Sequence, residues 1–180
     1  MEACEPPSTS LNENGRHRLC VDLVLREPRW ESVVDEKHLV KAVQAAYASC
    51  TPLQVEAEVS LSLCDDSQIR ELNSNWRGKD SATNVLSFPL DQPFHGEGAK
   101  HLGDIVLAFE TVEREAGEKK IPVGQHTAHL VVHGLLHLLG HDHENARDAE
   151  EMERLEVEIL ATLGVPDPYS ENKMESGELT

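Results

Sequence analysis

Five of the chain's ten histidines crowd into positions 129 to 143, and the run His133-Gly-Leu-Leu-His137-Leu-Leu-Gly140-His141-Asp142-His143 has the spacing of a metal site. Two histidines four apart on a helix are separated by one turn, ~6 Å of rise and ~40° of rotation. Their imidazoles can then reach one ion at ~2.0–2.1 Å. Gly140 stands where a helix-ending glycine belongs and lets the chain reverse, so that His141 or His143 can come round as a third nitrogen. Three protein ligands leave the fourth tetrahedral position to water, the arrangement of catalytic zinc sites. A closed structural site would want four ligands, mostly cysteines, and no cysteine lies nearby.

A single histidine in an apolar helix is more often a hydrogen-bonded core residue than a ligand. Here the helix is apolar on nearly every side (Leu130, Val131, Val132, Leu135, Leu136, Leu138, Leu139), and several unpaired buried imidazoles would cost free energy. One metal ion relieves that cost for two or three of them together. A register shifted to His129 and His133 would leave His137 a bystander and Gly140 without a purpose. The preferred set is therefore His133, His137 and His143 on one zinc ion, with Ni, Co or Cu also compatible with three nitrogens. His129 then lines the cavity or supports a ligand from behind, Asp142 orients a ligand or begins the next helix, and His141 is exposed. Gly134 occupies the place of the general-base glutamate of HExxH zinc peptidases, which disfavours peptide hydrolysis.

The elements that must hold these residues follow from periodicity. Leu19, Val21, Leu23 and Leu25 alternate as in a strand. Leu39, Val40, Val43, Ala46 and Tyr47 form a helical stripe that starts at Asp35 and ends at Thr51-Pro52. Val55, Ala57, Val59, Leu61 and Leu63 alternate with Glu56, Glu58, Ser60 and Ser62, a strand with one face on the core and one toward water. Asp65 or Asp66 caps a short helix carrying Ile69 and Leu72 that ends near Trp76. The turn Arg77-Gly78-Lys79-Asp80 follows, then a strand over Asn84–Phe88 stopped by Pro89. Residues 91–101 read as a loop and Ile105 to Phe109 as a central strand. Helices at about 110–119, 123–140 and 145–163 complete the chain, the last with a stripe of Ala149, Met152, Leu155, Ile159 and Leu163 closed by Gly164 and Pro166. The prediction is one α+β domain over 18–165, a mixed sheet of about four strands packed with about five helices. The metal site falls on its C-terminal helical part. Flexible or disordered tails are expected at 1–17 and 166–180.

The net charge is −17, with −8 concentrated in 144–180, so no basic stripe for nucleic acid exists. Few aromatic residues are available for base stacking. Cys4, Cys20, Cys50 and Cys64 form no CxxC pair and read as reduced thiols of a cytoplasmic protein. The first residues lack the pattern of a signal peptide, and the most apolar stretch, Leu130 to Leu139, is too short for a bilayer, so no membrane association is expected.

Beyond composition and spacing, HGLLHLLGHDH at 133–143 resembles the histidine motif of the YbeY family of rRNA maturation factors. NSNWRGKDSATNVLSFP at 73–89 and LGDIVLAFE at 102–110 resemble its two other blocks. The resemblance covers roughly residues 55–145. It implies a zinc-dependent, single-strand-specific endoribonuclease that matures the 3′ end of 16S rRNA, serves ribosome quality control, and meets the small ribosomal subunit and its proteins. It carries the metal ligands onto His133, His137 and His143 and a functional arginine onto Arg77. A guanidinium there can grip a phosphate in bidentate fashion and stabilise developing charge. Lys79 is a weaker candidate for positioning RNA. At Asn84 the family usually has Asp; Asn can orient by hydrogen bonding but cannot act as a base. Two rival readings are a non-catalytic zinc-binding ribosome assembly factor and a peptidase-like metallohydrolase.

Overall fold

The structure is a computed structural model and describes residues 19–51, 56–90, 99–143 and 145–170. The tails expected at 1–17 and from 171 onward, Val55, and 91–98 of the expected loop lie outside the described residues.

Four strands form one sheet in the order β1-β2-β4-β3: β1 Leu19–Leu25, β2 Ala57–Cys64, β3 Val85–Pro89 and β4 Lys100–Ala108. The first two pairings are parallel and β3 runs antiparallel along the edge of β4. The helices are α1 Glu36–Cys50, α2 Asp66–Arg77, α3 Phe109–Glu118, α4 Val123–Leu138 and α5 Ala146–Thr162. The α+β class, the mixed sheet and the helix number agree with expectation. The starts of α1, α2 and α5 are set by Asp35, Asp65 and Asn145. Their side chains accept from Lys37, Gln68 and Asp148 N–H at 2.9, 2.8 and 3.0 Å.

Alternation sorts the core onto the two sheet faces. Leu61, Leu63, Ile105 and Leu107 join Leu39, Val43, Val131, Leu135 and Leu160, which places α1, α4 and α5 on one side. Burying each such leucine contributes roughly 1.5–3 kcal/mol. On the other side Ile69 of α2 meets Cys64, Leu86, Val106 and Ala108 in a smaller cluster. The edge strand β3 thus divides its side chains, Leu86 and Phe88 toward α2 and Val85 toward α4.

Several boundaries differ from the sequence reading. A 3-10 turn, Pro28–Ser32, was not anticipated; it seats the fully buried Trp30. β4 begins at Lys100 rather than Ile105, and Phe109 opens α3. Gly103 obscured that early half: its φ is 135°, and a Cβ there would lie 2.2 Å from the Phe88 carbonyl oxygen, so a break-like residue is required inside the strand. Pro89 belongs to β3, which an edge strand tolerates. The buried face of α5 is Met152, Glu156, Ile159 and Leu160, while Ala149, Leu155 and Leu163 are only partly covered. Within the stretch from 166, Tyr169 is hydrogen-bonded to His129 and Glu156.

Candidate metal centre

The histidine-bearing helix, α4, is an apolar rod driven into the core, with Val131, Val132, Leu135 and Leu136 all buried. His133 and His137 lie on its half-exposed side, their Nε2 atoms 3.1 Å apart. Two ligand atoms at the corners of a tetrahedron with 2.0–2.1 Å arms would stand about 3.3 Å apart. Past Leu139 the helix stops in a Schellman turn: Gly140, at φ 90°, donates to the His137 carbonyl, and His141 N–H donates to Leu136 O, both at 3.0 Å. The reversal delivers His143, whose ring centroid is 5.0 Å from that of His137 and 5.7 Å from that of His133. One nitrogen from each of the three rings falls within 4.8 Å of the others. His141 stays outside the cluster and is half-buried rather than exposed.

Behind the cluster stands Glu156, whose side chain has no exposed surface. Its Oε1 accepts from His133 Nδ1–H at 2.6 Å; its Oε2 accepts from His129 Nε2–H at 3.0 Å and from the Tyr169 hydroxyl. Burial would raise its pKa, but these donors outweigh burial and hold the carboxyl at about 2. Because a carboxylate only accepts, it fixes the proton of His133 on Nδ1 and leaves the Nε2 lone pair facing His137. His129 is committed through Nε2 to the same carboxylate and does not join the three-histidine cluster. Burial, then the nearby His133 and His143, push the His137 imidazole below its ordinary pKa and favour the neutral ligand form. A cleft of about 230 Å³ opens beside the cluster, lined by His133, His143, Met152, Glu153, Glu156 and Tyr169. The donor set, its spacing and the fixed tautomer suit a borderline-soft divalent ion.

Gly134 marks where α4 touches the sheet. A Cβ there would lie 2.9 Å from Ile105 Cγ2 and 3.0 Å from Ser87 Oγ, and that hydroxyl donates to the Gly134 carbonyl at 3.1 Å. A peptidase-type glutamate would thus be driven into the sheet. Asn84 lies just before β3, and its amide donates to Glu115 Oε1 and Oε2 at 3.2 and 3.0 Å, while Glu115 also accepts from His126 at 2.7 Å. Arg77, the last residue of α2, is exposed on the opposite side of the sheet, yet at the same stretch of edge strand. The Trp76 ring leans at 59° against Phe88, ring centroids 6.2 Å apart, and the adjacent Ser87 holds Gly134. Glu156 and Tyr169 escaped the sequence reading. The available signal was an acidic residue four after Met152 and three before Ile159, on the face a helix buries.

Fold and site together define an α+β protein whose core helix presents an open three-nitrogen centre braced by a buried carboxylate. The family model for endoribonuclease YbeY matches residues 27–164. The chain is 54% identical over 150 residues to endoribonuclease YbeY of Bradyrhizobium diazoefficiens, covering 81% of this chain and 79% of that one. It is 48% identical to endoribonuclease YbeY of Methylocella silvestris, covering 84% and 86%. The solution structure of TM1509 from Thermotoga maritima shares the fold, with a TM-score of 0.52 at 23% identity over 89% of this chain and 96% of that one. The chain belongs to the endoribonuclease YbeY family. No helix among the described residues is long and apolar enough to cross a membrane.

Proposed function

We propose that the chain is a zinc-dependent endoribonuclease specific for single strands, acting in the cytoplasm on the 3′ end of 16S rRNA precursor and in ribosome quality control at the small subunit. The observation that carries this reading is the convergence of His133, His137 and His143 nitrogens within 4.8 Å, with Glu156 fixing one tautomer. The matched relatives are named as endoribonucleases, which supports RNA as the substrate. Those three imidazoles are the ligands; bound there, zinc supplies Lewis-acid stabilisation to a phosphate oxygen. Glu156 keeps His133 oriented and neutral. Arg77 grips a phosphate of the bound strand and stabilises charge as the phosphodiester is attacked.

Metal analysis of protein purified without chelators should find about one zinc ion per chain. RNA cleavage should be lost in His137→Ala together with the metal. Arg77→Ala should keep metal and fold yet lose about 10²–10³-fold in turnover. Full activity in Arg77→Ala would remove that residue from the mechanism. Stoichiometric zinc with small-subunit binding but no RNA cleavage would favour an assembly factor instead. Product ends assign the nucleophile: a 2′,3′-cyclic phosphate means the RNA 2′-OH attacks.

A further inference from the structure

We infer that Trp76 is a base-stacking platform for the single-stranded RNA whose phosphate Arg77 grips; this rests on the endoribonuclease reading and names a subsite for it. Trp76 is 74% exposed, the most exposed large apolar side chain among the described residues. Leu90, 42% exposed, lies two residues beyond Phe88, the ring on which Trp76 leans. An indole left in water costs free energy, and none of the described residues covers this one.

The surrounding charge selects the occupant. In a chain of net charge −17, positions 72–79 hold Arg77 and Lys79 and no acid. The neighbouring Arg70 is already matched by Asp80, at 2.7 and 2.9 Å. Arg77 and Lys79 are exposed and enter no ion pair among the described residues. An exposed indole flanked by two unmatched cations fits an unstacked base with its phosphates. The platform is also rigid. Gly78 ends α2 at φ 67°, Gly78 and Lys79 N–H groups close onto the Ser74 and Asn73 carbonyls, and the buried Asn73 amide donates to Ser81 O at 2.8 Å. The edge strand touches both helices, since Phe88 meets Trp76 of α2 and Ser87 holds Gly134 of the histidine-bearing α4. A strand rounding that edge can lay a base on Trp76 while the phosphate that Arg77 grips faces the histidines.

The chain's two tryptophans make this measurable. Trp30 is fully buried, its indole N–H donating to Cys64 O at 3.0 Å, whereas Trp76 faces water. The probe is a fluorescein-labelled single-stranded 2′-O-methyl oligoribonucleotide of about 12 nucleotides, checked to be intact after incubation with the zinc-loaded protein. An unlabelled copy serves for tryptophan emission. In Trp30→Phe, which reports Trp76 alone, emission should be quenched on titration; in Trp76→Phe, which reports Trp30, it should not change. Trp76→Ala should weaken binding about 5- to 100-fold with unchanged circular dichroism and zinc content, and Trp76→Phe should restore most of it. Oligonucleotide binding by Trp76→Ala as tight as wild type overturns the inference. So does a defect of that variant confined to a protein partner. Wild type that neither binds nor cleaves RNA overturns the endoribonuclease reading itself, a different result from either.

Discussion

At the scale of single residues, the centre depends on a charge the solvent never sees. A carboxylate with no exposed surface is tolerated because three donors meet it, and removing the charge while keeping the shape should expose its role. Glu156→Gln is expected to lower zinc affinity about 10–100-fold, measured by chelator competition, with a smaller effect on fold than Glu156→Ala. Gly134 makes the opposite demand, for absence of bulk. Gly134→Ala must push Ile105 or Ser87 aside, and a loss of about 1–3 kcal/mol in denaturant unfolding is expected. The closeness of His133 and His137 was readable from sequence because spacing on one helix fixes their relation. Glu156 and Tyr169 were not, because they meet His133 and His129 only through packing of α5 and the segment after it. Trp76 was visible as a residue and invisible as a surface, since exposure depends on which face α2 turns to the sheet.

Among the elements, two helices end at left-handed glycines beside the chemistry, α2 at Gly78 and α4 at Gly140. Both stops were readable, and the second predicted the reversal that brings His143 back. Open space surrounds the Cβ position of Gly140, so Gly140→Ala incurs only backbone strain, about 1–2 kcal/mol. Its larger expected effect is on zinc affinity, because His143 hangs from that turn; equal zinc affinity in the variant would show that the turn does not govern the third ligand. The early half of β4 was unreadable for a physical reason. Close approach of two strands at Gly103 requires the residue type that local pattern assigns to a loop.

For the whole molecule, four strands and five helices emerged from periodicity, while strand order did not, since pairing is a long-range choice. Core packing also protects chemistry elsewhere in the chain. Burial, and then Asp65, push the Cys64 thiol up to about 12, so alkylation followed by mass spectrometry should label exposed Cys20 well before Cys64. Zinc at about 100 times its dissociation constant should stabilise the protein by ~2.7 kcal/mol, raising the melting temperature roughly 5–10 °C. His137→Ala should show no such rise. The Schellman turn and the Glu156 brace are held by the hydrophobic core, so the three nitrogens converge as part of the fold itself. Ion capture should then expose or bury little surface, and titration calorimetry at several temperatures should give a heat-capacity change near zero. In that respect the centre behaves as a preformed receptor, unlike small domains whose order is created by their ion.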